Sequence, residues 1–393
     1  MGLAHGGGNL RRMDKRLHIE LVTETYPPDV NGVALTVQSL EQGLRGLGHA
    51  VGVVRPERED DGPRPDPMLM LVEGAPIPRY PGLRFGLPAG RRLLARWQAQ
   101  RPDAVYIATE GPLGWSALRA CRQLGIPVAT GFHTRFDDYV GRYGAGFLSP
   151  WVFAWLRRFH NRADATLVPT AELRDQLAQQ GFRQVAHLGR AVDTNGFHPD
   201  FRDATLRARW GAAEGAPVLV HVGRIAPEKN LPLAVRAYRE LQKQRPDARF
   251  VWVGDGPARA GLQAANPDFL FAGVLRGEDL ARHFASADLF CFPSLSETFG
   301  NVTLEAMASG IATVAFDYGA AREHLRNGLH GAAVDFGDEA GFVKALVATA
   351  TGDGLRHQGE AARLAVQHLH PDQVARDFAL LLDGLGGRRE QAA

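Results

Sequence analysis

The chain has 393 residues, 45% of them apolar and 22% charged. That is about twice the length of an ordinary domain and a composition with ample core, which excludes a disordered or fibrous chain and predicts two domains. With 45 basic and 43 acidic residues the net charge is +2, so no global field invites nucleic acid, and no apolar run reaches the length of a membrane span.

Residues 1–16 are rich in Gly and Arg and hold no hydrophobic segment, so they read as a disordered tail and not as a secretory signal. A strand is predicted at Leu17–Val22, followed by the loop Thr23-Glu-Thr-Tyr-Pro-Pro-Asp-Val-Asn-Gly-Val33, a helix to Gly46 and a strand at Ala50–Val54. Gly74 to Pro102 contains no acidic residue, while Arg79, Arg84, Arg91, Arg92, Arg96 and Arg101 are interleaved with Phe85, Leu87, Leu93, Leu94 and Trp97. Strands follow at Ala104–Ile107 and Pro127–Thr130. The second runs into Gly131-Phe-His133-Thr-Arg-Phe-Asp-Asp-Tyr139, which sets His133 just past the carboxyl end of a parallel strand, where open α/β sheets hold ligands. In the next helix Trp151, Trp155 and Phe159 recur at helical spacing beside Arg157 and Arg158. Core helices and basic helices lying on anionic membranes share that pattern. A strand at Ala165–Pro169 and a helix from Ala171 lead to Leu188-Gly-Arg190-Ala-Val-Asp193, where a hinge and a ligand contact are both open for Arg190 and Asp193.

The alternation continues in the second half. The strand Pro217–Val222 enters Gly223-Arg224-Ile-Ala-Pro-Glu-Lys229-Asn230, with Asn230 expected to cap a helix to about Gln242. Arg224 and Lys229 are fixed cations of the kind that stabilise a departing diphosphate without reorganisation. The only lysines are Lys15, Lys229, Lys243 and Lys344, which sets Lys229 apart from the arginine-rich surface. The strand Arg249–Val253 meets the tight turn Gly254-Asp-Gly256-Pro257, and the strand Phe269–Ala272 precedes a helix over Glu278–Ser286. The strand Asp288–Phe292 ends at Pro293 and opens Ser294-Leu-Ser-Glu-Thr-Phe-Gly-Asn-Val-Thr-Leu-Glu-Ala-Met-Ala-Ser-Gly310, before a strand at Ile311–Phe316. Gly300 turns the chain, Asn301 and Thr303 are expected to start a helix, and Gly310 stops it. Backbone N–H groups near Asn301 and Val302 then point past the strand's end, which suits a phosphate. Glu297 in the turn and Glu305 on the helix accept from hydroxyls. Successive βα units imply an α/β fold with parallel, doubly wound sheets. Cys121 and Cys291 lie in separate apolar elements and read as buried free thiols of a reducing compartment.

The stretch from Ser294 to Gly310 resembles the Glu-x7-Glu motif of retaining glycosyltransferases of family 4, the glycogen-synthase-like GT-B family. The resemblance covers nearly the whole chain after residue 16, with its specific motifs at 223–230 and 294–310. It implies two Rossmann-like domains facing across a cleft: an acceptor domain at 17–198, a donor domain at 199–370, and a helix in 371–393 crossing back to the first. It implies that Glu297 holds donor-sugar hydroxyls, Glu305 the ribose, and Arg224 and Lys229 the diphosphate. Gly223, Gly254, Gly300, Asn301 and Val302 then line the donor site, and His133 sits beside the sugar. The first loop departs from the family's frequent Gly-Gly: Asn31-Gly32 stands there, so Gly32 alone transfers. The chain has no Asp-x-Asp, so no metal and no cofactor beyond the nucleotide-sugar donor are implied.

The motif set is similar to bacterial GDP-mannose-dependent α-mannosyltransferases, and also to UDP-sugar enzymes that make sulfolipid or glucosyl lipids. A hexosyltransferase using GDP-mannose is favoured, acting on a lipid or saccharide acceptor in the cytoplasm or at the inner face of its membrane. Two other classes remain: a GT-B-fold UDP-sugar 2-epimerase, which needs no acceptor, and a catalytically silent sugar-nucleotide-binding scaffold.

Overall fold

The computed structural model describes residues 15–29, 32–58, 61–62, 66–76, 84–133, 149–297 and 299–392. The chain forms two compact units, Met1–Ala191 with Pro371–Ala393, and Val192–His370. The boundary falls earlier than the expected 198/199. The Val192 N–H donates to the Leu369 carbonyl at 2.9 Å, and Val192 and Phe197 pack into the second unit's core. The expected tail at 1–16 lies outside the described residues up to position 14.

The strands of the first unit are β1 (His18–Val22), β2 (Ala50–Pro56), β3 (Leu69–Val72), β4 (Gly74–Pro76), β5 (Arg84–Gly86), β6 (Ala104–Ile107), β7 (Val128–Gly131), β8 (Ala165–Val168) and β9 (Val185–His187). Seven form a parallel sheet in the order β3-β2-β1-β6-β7-β8-β9, and β4 and β5 form a separate antiparallel pair. Helices cover both faces, so strands such as Ala104–Ile107 read as unbroken apolar runs with every residue buried. The order reverses between β1 and β6, and at that fork Glu24 accepts the Leu113 N–H (3.1 Å) at the start of the helix Pro112–Leu124. A side chain at Gly111 would overlap the Glu24 carboxylate. Burial, with Glu110 nearby, pushes the Glu24 carboxyl up to about 7 against the backbone donors of Leu113 and Gly114.

Arginines of the basic stretch after Gly74 bond to neighbouring groups, although Arg91, Arg92 and Arg101 stay exposed. Arg92 donates to the Leu71 carbonyl, Arg101 to the Leu124 carbonyl, and Arg96 to the buried Glu20 (2.9 Å), while Leu93 and Trp97 enter the core. Arg79 lies outside the described residues. The tryptophan helix, Ser149–His160, splits its aromatics: Phe159 is fully buried, but Trp151 is 77% exposed and Trp155 43%. The C-terminal helix Pro371–Ala392 packs on Gly32–Gly46, where Gly43 meets Ala375 with no room for a Cβ. Its Phe378 lies edge-on to Tyr106, ring centres 5.1 Å apart.

The second unit holds β10 (Val218–Val222), β11 (Arg249–Val253), β12 (Leu270–Gly273), β13 (Leu289–Phe292), β14 (Ala312–Phe316) and β15 (Gly331–Val334). They form one parallel sheet ordered β12-β11-β10-β13-β14-β15. The helix Leu231–Gln244 buries Leu231, Leu233, Ala234, Ala237, Tyr238 and Leu241 against it, and each fully buried leucine contributes about 2 kcal/mol. The sheet order reverses between β10 and β13. The loops leaving those two strands therefore flank the place where open sheets bind ligands, and they carry Arg224, Lys229 and Glu297.

Candidate active site

In the second unit, β10 ends in a sharp turn at Gly223 (φ +150°). Gly254 (φ +136°), after β11, lies against it, and a Cβ on Gly254 would overlap the Gly223 carbonyl. The two glycines thus have a steric task, letting two loops touch backbone to backbone. Past Gly223 comes a single 3-10 turn, Pro227–Lys229, and then the helix from Leu231. Asn230 does not cap that helix through its side chain as expected. Its backbone is left-handed (φ +52°), which asparagine tolerates, and that conformation joins the turn to the helix.

The Lys229 ammonium is ion-paired with the Glu297 carboxylate, both side chains being mostly buried. The Ser294 hydroxyl donates to Glu297 at 2.8 Å, and the Phe292 ring centre lies 5.6 Å from the Lys229 ammonium. The Ser294 segment is itself fixed, since the Leu295 N–H donates to the Glu228 carbonyl (3.0 Å) and the Tyr318 hydroxyl to the Ser294 carbonyl (2.7 Å). Arg224 stands apart from this pair. Its side chain is 65% exposed and rests on Glu228 at 3.3 Å, an arm free to meet a ligand at little energetic cost.

The helix Asn301–Ala308 starts differently from the sequence expectation. Gly300 is its N-cap, left-handed at φ +91°, and no side chain caps it, neither Asn301 nor Thr303. The Thr303 N–H donates to the Gly300 carbonyl (2.9 Å), while the N–H groups of Asn301 and Val302 are placed to meet an anion. Glu305 sits one turn further on, with slight solvent access, and burial pushes its carboxyl up to about 7. The unit thus gathers an ammonium, an exposed guanidinium, an open helix start and two carboxyl groups. Such a set can hold phosphate oxygens and hydroxyls together.

In the first unit, His133 follows β7. Its Nε2 is 3.0 Å from the Tyr106 hydroxyl and its Nδ1 is 2.6 Å from the buried Arg190 guanidinium. A guanidinium only donates, so Nδ1 must accept, and the neutral ring carries its proton on Nε2. Burial first, and then the charges of Arg190 and His160, hold the His133 pKa well below its ordinary value. With its free lone pair already taken by Arg190, His133 is suited to hydrogen-bonding and not to accepting a proton. At Gly32, which begins its helix, a Cβ would meet open space, so the described packing does not itself demand glycine there. Residues 134–148, including the rest of the motif after His133, and Thr298 lie outside the described residues, as does Asn31.

Two family models match the chain: "Glycosyltransferase Family 4" over residues 30–196 and "Glycosyl transferases group 1" over residues 216–351. A GDP-mannose-dependent alpha-mannosyltransferase of Mycolicibacterium smegmatis is 36% identical over 385 residues, covering 95% of this chain and 97% of that protein. The chain belongs to glycosyltransferase family 4. It also resembles a sulfoquinovosyl transferase of Arabidopsis thaliana, at 31% identity over 77% of this chain and 60% of that one. Sucrose-phosphate synthase from Thermosynechococcus elongatus shares the fold at TM-score 0.74 and 18% identity, covering 95% of this chain and 100% of that one. The fold is the two-domain α/β architecture of the GT-B glycosyltransferases, and the chain is a hexosyltransferase.

Within this glycosyltransferase several site neighbours escaped the sequence. Tyr106 read only as a strand residue, and its contact with His133 forms because β6 and β7 are adjacent in the sheet. Arg190, for which the sequence leaves hinge and ligand contact both open, fixes the His133 tautomer. Ser294 lay in the motif stretch without a role, and Tyr318, 24 residues beyond, carried no local signal. Among the described residues no group of three or more His, Cys, Asp or Glu side chains is placed to hold a metal ion, and no helix is long and apolar enough to cross a membrane.

Proposed function

We propose that this family 4 enzyme transfers mannose from GDP-mannose to a lipid or saccharide acceptor, with retention of configuration and without a metal. The observation that carries this is the Lys229–Glu297 pair at the switch point of the second sheet. On donor binding Glu297 receives the sugar's hydroxyls, and Lys229 and Arg224 take the diphosphate, aided by the helix start at Asn301 and Val302. Glu305 accepts from the ribose hydroxyls. His133, held neutral, turns its Nε2–H from the Tyr106 hydroxyl to the transferring sugar. The name of the M. smegmatis relative favours GDP-mannose, and the sulfoquinovosyl relative keeps a UDP-linked sugar as the second choice.

The test is calorimetric titration of the protein with GDP and with UDP in the absence of metal. Tight binding of GDP alone supports the mannosyl donor, preference for UDP moves the donor to a UDP-hexose, and binding of neither overturns the site. Glu297→Ala is expected to abolish transfer while the thermal unfolding transition stays cooperative. A Glu297→Ala enzyme that turns over normally would sink the assignment.

The acceptor side carries one more observation. Trp151 and Trp155 are exposed on the helix Ser149–His160, and the neighbouring charges of Arg158, Arg122 and Arg119 lower the Arg162 pKa, after desolvation. Aromatic side chains among clustered guanidinium groups suit an anionic bilayer surface. Co-sedimentation with vesicles containing phosphatidylglycerol, but not with phosphatidylcholine alone, is expected for the native protein and is lost in Trp151→Ala/Trp155→Ala. Equal binding to both vesicle types argues against peripheral membrane contact.

A further inference from the structure

His221 is the penultimate residue of β10 and fully buried. Its Nδ1 lies 3.1 Å from the Cys291 carbonyl, a contact that only Nδ1–H can make. The neutral ring therefore presents a lone pair on Nε2, and that buried nitrogen has no hydrogen-bond partner among the described residues. Buried polar atoms without partners are rare enough to need an explanation. The ring cannot simply turn away, because it packs against Trp252 (4.8 Å) and Phe292 (6.0 Å) and would lose the Cys291 bond. Nε2 faces the start of the loop that carries the two cations. The point where a Cβ of Gly223 would stand is 3.8 Å from His221 Nε2 and 4.0 Å from Lys229 Cε.

We propose that His221 is a positioning residue for Lys229, its Nε2 accepting a hydrogen bond from the ammonium once a bound nucleoside diphosphate draws Lys229 off Glu297, an inference that rests on the donor chemistry proposed above. An ammonium has three donors. In the donor-free protein one of them is spent on Glu297, which must be released to receive sugar hydroxyls. A second carboxylate would cancel the positive charge just where the leaving group needs it. A neutral imidazole nitrogen fixes the ammonium's direction and leaves its charge for the phosphate oxygens. Burial holds His221 at a pKa of about 4, the Cys291 carbonyl opposing and Lys229 adding to the effect, so the lone pair is present throughout the neutral range.

The full-length protein tests this with its imidazoles labelled with 15N and its lysine Cε with 13C. Only four lysines contribute signals, and Lys229→Arg identifies the one that matters. Addition of GDP, or of UDP if that is the nucleotide bound, is expected to move both the Lys229 signal and the His221 Nε2 resonance, the latter toward the hydrogen-bonded range. His221→Phe is expected to leave the Lys229 signal near its donor-free position and to lower kcat about tenfold. His221→Gln, which keeps a donor for Cys291 and an acceptor for Lys229, recovers most of that loss. An unmoved Nε2 resonance in a wild type that binds nucleotide and turns over overturns the inference alone, and needs no variant to fold. Failure of both GDP and UDP to bind the wild type removes the donor chemistry and this inference together.

Discussion

Glu305→Gln should make the protein more stable at alkaline pH and weaker as a nucleotide binder. Burial raises the Glu305 carboxyl from 4.5 to about 7. Each unit is worth about 1.4 kcal/mol, so keeping this group ionised costs the fold at most roughly 3 kcal/mol above pH 7, less whatever its residual solvent access screens. The sign follows from proton counting. The unfolded chain loses this proton near 4.5 and the native state keeps it until about 7. Between those values the native state binds more protons, and stability falls as pH rises. Glutamine has no such cost. The stability gap between variant and wild type should therefore widen in favour of the variant by about 2–3 kcal/mol from pH 5 to pH 8. For the second unit that is a rise of roughly 5–10 °C in relative melting temperature, read by differential scanning calorimetry at the two pH values. The same change removes the ionised acceptor proposed for the ribose hydroxyls, worth about 1.5–3 kcal/mol, so the nucleotide Kd should rise tenfold or more at pH 8. A gap that does not change with pH, or a variant destabilised at pH 8, would refute the reasoning.

Other expectations concern the supports of the site. Removing the Arg190 charge should raise the His133 pKa toward its ordinary value, because burial and His160 then act alone; an NMR titration of Arg190→Ala in which His133 stays put would contradict this. Phe378→Ala should cost about 3–5 kcal/mol and lower kcat by releasing Tyr106 from beneath, while GDP affinity, which the proposed function assigns to the second unit, stays unchanged by calorimetry. Gly254→Ala should destabilise by more than about 2 kcal/mol in urea unfolding, since its Cβ overlaps the Gly223 carbonyl at a φ of +136°. Gly261→Ala, in a helix with open space around it, should be neutral or stabilise by about 1 kcal/mol, and equal effects at the two sites would argue against the steric account.

The alternating strands and helices are legible in the sequence, because parallel strands covered on both faces must be short apolar runs, as Ala104–Ile107 is and as Arg249–Val253 is after its first residue. The sequence also determined the family, through spacings that set Glu297 in a turn and Glu305 on a helix. Local signals failed where backbone conformation replaced side-chain chemistry. Asn230 and Gly300 serve their helices with left-handed backbones, and the side-chain caps suggested by Asn230, Asn301 and Thr303 do not form. They failed again at the exposed tryptophans, since helical spacing fixes which residues share a stripe but not which stripe meets the core.

The partnerships depend on how the sheets bring distant segments together. Lys229 meets Glu297 because β10 and β13 are neighbours, although 68 residues separate the two side chains. Tyr106, His133 and Arg190 form one set because three chain segments end at the same edge of one sheet, and His221 is left with an unpaired nitrogen because its strand is enclosed on both faces. Hydrogen bonds and desolvation depend on distances across the sheet, and a sequence records only distances along the chain.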